Sequence, residues 1–295
     1  MGLKEKLENR DFAILVELEP PKGVDVSNMV SHALLIKDQV DAFVVPDMSN
    51  AVMHMSPLGG AIILQGKGLE TVMQVSCRDR NRLALQGDLL AAHACGVTNV
   101  MAVPAVDPSL GDHHEAKAVY DIDLLELLDA TETLQQGRDM AGMELSGSPR
   151  FFVGSTVSTG VQGEALDREL EEMNKRIEKG VRFFVTPPVF DLSSIHPFLK
   201  HVEHRKPSII PTVLLLKSVG MARYIERHDD RVHIPESLIG RIQKAQDRVG
   251  ECTHIASEMA STLKKEGFGG VLLSTLGWEQ RIPDILGAMV DENRS

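Results

Sequence analysis

The sequence predicts an α/β protein, a (β/α)8 TIM barrel in which residues 1–295 form a single domain. Three observations carry that prediction. Eight short apolar or β-branched runs recur along the chain, and segments of helical period and crossover length separate them. Nothing divides the series, since no linker, low-complexity tract or charge block interrupts it. A closed parallel barrel requires this alternation, and its strands, buried on both faces, read as nearly continuous apolar stretches.

The runs are FAILVEL (12–18), VDAFVVP (40–46), ETVMQVSC (70–77), VTNVMAV (97–103), RFFVGSTV (150–157), VRFFVTP (181–187), SIIPTVLLL (208–216) and GGVLLSTL (269–276). Between the third and fourth, residues 81–96 place Leu83, Leu85, Leu89, Leu90 and His93 near one helical stripe and stop at Gly96. Residues 164–180 repeat the design, with Glu-to-Lys pairs at helical spacing and a terminal Gly180. Residues 193–206 begin with serines suited to capping a helix. The stretch 104–123 has no clear element, and long loops in compact domains are often functional. An open doubly wound sheet is the competing architecture, but no G-x-G-x-x-G follows the first run.

Composition narrows the function classes. With a net charge of −11 the chain is poorly suited to neutralising a nucleic-acid backbone or an anionic membrane surface. Few aromatics argue against a stacking platform for single strands. Cys77, Cys95 and Cys252 lie far apart without a C-x-x-C pair, so no zinc cradle or disulfide framework is expected and reduced thiols are. The adjacent His113 and His114 beside Asp112 point apart on most backbones, so no metal site is expected there. The charged amphipathic start lacks a signal core, and no apolar run approaches bilayer length, so a cytoplasmic protein is expected.

In a barrel the chemistry gathers where strands end. The first run ends in Glu17-Leu18-Glu19, and alternation places the two carboxylates on one face. Crowded there, one would titrate high and serve as a general acid; the plainer alternative is a solvated or arginine-paired rim. The third run ends in Cys77-Arg78-Asp79-Arg80-Asn81-Arg82, where Asp79 or Asn81 would cap a helix. Its arginines would pair with Glu17 or Glu19, grip an anion, or simply be solvated. Asp47, Asp107, Thr156, Thr186 and Lys217 stand at or just after other run ends. Lys217, directly after three leucines, is either an imine-forming lysine or a snorkelling one.

With these residues in place, the chain resembles the methylenetetrahydrofolate reductase family, most closely its short bacterial and archaeal branch. The resemblance runs over roughly residues 3–290 and rests on residues 12–27, 76–100, 108–125 and 214–225 in order. It implies a flavin, FAD or FMN, carrying hydride to a folate-type substrate, 5,10-methylenetetrahydrofolate. The family's essential glutamate stands three residues before the first proline of its opening strand motif, a place occupied by Glu17. Glu17 is thereby implied to be the acid that opens the imidazolidine ring. The same resemblance implies that Asp47, Gln74, Asp107, Tyr120, Glu169, Glu172 and Arg176 contact the flavin, with Tyr120 on its adenosine side. Glu19, Arg78, Thr186 and Lys217 are the expected substrate contacts.

Three positions depart from the family pattern. The second run's threonine is Pro46, the fourth run's Gly-Asp pair is Ala105-Val106 with Asp107 one residue later, and the sixth run's glutamine is Pro187. A one-residue shift turns a side chain to the other face, and proline cannot replace an amide's paired hydrogen bonds. The leading expectation is a flavin-dependent oxidoreductase of one-carbon metabolism. The alternative is a member that has lost folate reduction and serves as a binding or scaffold subunit of a redox or methyl-transfer complex. With no nicotinamide fingerprint, an electron-transfer partner subunit is expected, and so is an oligomer.

Overall fold

A computed structural model describes residues 1–202, 207–229 and 232–292. Eight strands close into a parallel barrel in chain order: β1 (Ala13–Glu17), β2 (Ala42–Val45), β3 (Thr71–Val75), β4 (Asn99–Ala102), β5 (Phe152–Thr156), β6 (Phe183–Pro188), β7 (Ser208–Leu214) and β8 (Gly270–Ser274). Closure is made by β1 against β8, with Leu15 opposite Leu272. Around the barrel run α2 (Ser27–Ile36), α3 (Pro57–Gln65), α4 (Arg82–Ala94), α5 (Leu124–Gln135), α6 (Glu164–Glu178), α7 (His196–Leu199), α8 (Val219–His228), α9 (Glu236–Lys244), α10 (Arg248–Lys265) and α11 (Ile282–Glu292). The first helix, α1 (Leu3–Glu8), lies instead across the N-terminal end. No helix among the described residues is long and apolar enough to cross a membrane.

Strand alternation divides the core into two compartments. Ala13 and Leu15 of β1, Val72 of β3, Phe152 of β5, Phe183 and Val185 of β6 and Leu272 of β8 form one buried cluster, the barrel lumen. Leu3 and Leu7 of α1 join it and seal the bottom. The second, larger cluster packs the outer strand faces against the helices. The lumen is tight at Gly154, where a Cβ would stand 2.2 Å from the Phe183 ring, itself stacked on Phe152 at 5.3 Å. Overpacking costs ~1–3 kcal/mol, so Gly154→Ala is expected to lower unfolding free energy by about that amount in chemical denaturation.

All eight apolar runs contain a strand; most are trimmed at both ends, but β7 starts with its run at Ser208 and β6 extends one residue beyond its run to Pro188. The helical pattern differs from expectation at two places. Leu83 lies in the first turn of α4 and faces solvent, while Leu85, Leu89 and Ala92 turn inward. Of the two candidate caps it is Asn81 that accepts from the Ala84 N–H. Residues 193–206 do not form one serine-capped helix. Asp191 caps a short 3-10 turn (Leu192–Ser194), α7 follows for four residues with proline near its start, and residues 203–206 lie outside the described residues. Gly96 and Gly180 end their segments with φ of 89° and 94°, the left-handed conformation that favours glycine.

Candidate functional site

A cavity of about 540 Å³ opens at the C-terminal end of the lumen. Its apolar walls include Met101, Val103, Val185, Leu214 and Leu272, and Val106 and Pro187 lie at its edge. Its polar groups are contributed by separate strand ends: Glu17, Gln74, Thr156, Thr186, Thr212 and Ser274, joined by Glu169 and Arg176 from α6.

Glu17 continues the inward series Ala13, Leu15, Glu17, so the strand period that fills the lumen also delivers a carboxyl to its mouth. The Ser274 hydroxyl, from the end of β8 beside it, donates to Glu17 Oε1 at 2.7 Å. Burial raises the Glu17 pKa above the ordinary carboxyl range; the Ser274 hydrogen bond opposes this, and the negative charges of Glu19 and Glu279 add to it. Desolvation thus outweighs the hydrogen bond, which favours the protonated acid.

Glu19 does not share this position. β1 ends at Glu17, alternation stops there, and Glu19 opens onto a neighbouring cavity of about 450 Å³ with His32, His54 and Glu279. His54 Nδ1 lies 2.7 Å from the Pro20 carbonyl, which only accepts, so Nδ1 carries the proton and Nε2 faces Glu19 at 3.6 Å. His54 and Glu279 are contributed by distant loops, and no local pattern in the sequence links them to Glu19.

The other expected residues fall into two groups. Gln74 lines the cavity; its carbonyl accepts from the Asp47 N–H at 3.3 Å, and no group among the described residues takes its NH₂. On α6, Arg176 donates to the Thr156 carbonyl at 2.6 Å and stands 3.5 Å from Glu169, whose pKa is raised by burial against the opposing pull of Arg176. The Arg176 Nε is buried and has no hydrogen-bond partner among the described residues. Thr186 lines the cavity beside an irregularity in the β6–β7 register spanning Val185 to Pro188, which accommodates two prolines in a strand. The Thr212 hydroxyl donates to the Thr186 carbonyl at 2.6 Å.

The second group is engaged elsewhere. Asp47 is buried behind the cavity, accepting from the Ser76 N–H at 2.7 Å and from Arg80, and so ties β2 to β3. Arg78 is buried and used up by Asp79 and the carbonyls of Met48 and Val106, so it neither pairs with Glu17 or Glu19 nor keeps a free face for substrate. Arg80 pairs with Asp47 and Asp88, and Arg82 with Asp121. Asp107 caps the turn Pro108–Leu110 through the Ser109 N–H at 2.8 Å, outside the cavity. Tyr120 is exposed, in the left-handed region at φ 39°, with its hydroxyl donating to the Ala105 carbonyl at 3.2 Å. Glu172 pairs with Lys175 on the outer face of α6. Lys217 donates to the Leu276 carbonyl beside the Trp278 ring, and burial lowers its pKa while Glu279 opposes that. His113 turns to Asp112 and His114 to the Ser109 carbonyl.

Solved structures share this architecture at low identity. EDTA monooxygenase from Chelativorans sp. BNC1 superposes with a TM-score of 0.58 at 10% identity, covering 95% of this chain and 94% of its own. A 2,3-dimethylmalate lyase of the PEP mutase/isocitrate lyase superfamily gives 0.54 at 10% identity, covering 99% and 84%. Both likenesses show the barrel alone. No curated protein sequence matches the chain. The family comparison is decisive, because the profile of methylenetetrahydrofolate reductase matches residues 2–289, nearly the whole chain. This chain belongs to the methylenetetrahydrofolate reductase family, a family of flavin-dependent oxidoreductases.

Proposed function

We propose that the chain is a flavin-dependent reductase of a folate-bound one-carbon unit, with Glu17 as its acid. The observation that carries this reading is the Glu17 carboxyl itself. It is buried, held at 2.7 Å by the Ser274 hydroxyl, and in contact with the cavity. A protonated carboxyl at that depth can give its proton to a ring nitrogen of a bound methylene-folate and so help open the five-membered ring to an iminium. Ser274 fixes the carboxyl's orientation, and the apolar walls at Val185, Leu214 and Leu272 exclude the water that would compete for the proton.

The cavity's own groups fit a flavin. Its apolar walls suit a planar aromatic ring, the NH₂ of Gln74 suits a ring carbonyl, and the orphaned Nε of Arg176 suits an anionic oxygen. A bound flavin, FAD or FMN, would supply the hydride. Gln74, Thr156 and Arg176 are the residues that would hold it, with Glu169 keeping the guanidinium in place. Electrons would come from a partner subunit. A second reading rests on Val106 and Pro187, which present no side-chain donor or acceptor to a pterin. In it the barrel is a binding subunit in a redox or methyl-transfer assembly.

Reconstitution tests the proposal. The purified chain is expected to take up one equivalent of flavin and to bleach on anaerobic reduction. Arg176→Met should weaken flavin binding about tenfold or more, as loss of a charge-assisted hydrogen bond does. Uptake of neither FAD nor FMN would refute the flavin assignment. Flavin uptake without reduction of methylene-folate by the reduced protein would favour the second reading.

A further inference from the structure

At the opposite end of the barrel another cavity, of about 390 Å³, lies between α1, the start of β5 and the turn from α6 to β6. Its walls are apolar: Leu7, Phe152 and Val181 are buried there, with Ile177 partly so. Two guanidiniums line it, Arg10 and Arg182, and both residues are exposed. Neither side chain has an ion pair or hydrogen bond among the described residues, although most of the described arginines of this acidic chain are paired. Glu8, a carboxylate in the cavity lining, is 4.0 Å from Lys4 instead.

The backbone at Arg10 adds an independent observation. Arg10 follows the C-cap of α1 with φ 65°, and the Asp11 N–H closes back to the Lys6 carbonyl at 2.9 Å. That is the position where helices usually place glycine, because a side chain in the left-handed region is strained. A long cationic side chain retained there, beside a cavity and with no partner among the described residues, marks a site where strain is tolerated for another purpose.

We infer that this cavity binds a small amphipathic monoanion, a carboxylate with an aliphatic or aromatic body, held by Arg10 and Arg182 with its apolar part against Phe152 and Val181. Glu8 on the same rim disfavours ligands of higher charge. The site is separated from the barrel mouth by the full length of the lumen and does not depend on the function proposed for Glu17.

Decanoate, titrated calorimetrically into the full chain carrying saturating flavin, tests this. Saturable binding near one equivalent is expected, and decanol should bind about tenfold more weakly for want of the charge. Arg10→Gly and Arg182→Gln should each weaken decanoate about tenfold, whereas Arg150→Gln, on the same end but outside the cavity, should not. Arg10→Gly should also melt at the same or a higher temperature, because glycine relieves the left-handed strain. Absence of decanoate binding would overturn the inference. So would binding that decanol matches, or that survives both the Arg10 and Arg182 substitutions.

Discussion

Replacing Glu17 by Gln is expected to slow reduction of the one-carbon unit by about 10²–10⁴-fold, the range that a positioned general acid contributes. Flavin uptake should be unchanged, because the carbonyl of the introduced amide still accepts from Ser274 and the cavity keeps its shape. Stopped-flow reoxidation of the reduced protein by methylene-folate is the measurement. The pH profile follows from the raised pKa of Glu17: the wild-type rate should fall as pH rises through that value, as the acid loses its proton. Stability carries the matching sign. Folded Glu17 binds its proton more tightly than unfolded Glu17, so the native state loses stability as pH climbs from the ordinary carboxyl range through the raised value. Glu17→Gln removes that loss. Its melting temperature should therefore exceed wild type at neutral pH and converge with it in acid.

Asp47→Ala is expected to cost about 3 kcal/mol of unfolding free energy, the scale for breaking a buried ion pair. Burial outweighs the attraction of Arg80, so the Asp47 pKa lies above its ordinary range despite the pairing. The destabilisation therefore comes from what is stranded. The Ser76 N–H loses its acceptor, and Arg80 keeps Asp88, 2.9 Å away, and the Ser76 carbonyl at 3.4 Å. Asp47→Asn retains an acceptor for Ser76 and should lose less. Urea denaturation gives both values. Because Asp47 stands behind Gln74 rather than in the cavity, flavin affinity should follow the loss of stability and not fall further.

The barrel was legible because its signals are local and repeated: eight apolar runs, helical periods between them, and glycines where helices stop. Glu17 was legible for the same reason, as the alternation that fills the lumen also aims it. What the sequence could not convey depends on contacts between distant segments. Ser274 lies 257 residues from Glu17 and closes the barrel beside it. Alternation misled at Glu19 because the strand ends two residues earlier. The arginines after β3 look like anion grips, yet Arg78 spends its donors on two loops that only the fold brings together. Asp107 is a cap and Glu172 a surface partner, roles that family position alone does not reveal.

Whether Glu17 acts as acid beside a flavin held at the barrel mouth is tested most directly in a single turnover. The protein is loaded with flavin, reduced anaerobically and mixed with 5,10-methylenetetrahydrofolate. Wild-type flavin absorbance is predicted to return with formation of 5-methyltetrahydrofolate, whereas Glu17→Gln should bind flavin normally but stay bleached. Reoxidation at the same rate in both proteins would contradict the role assigned to Glu17.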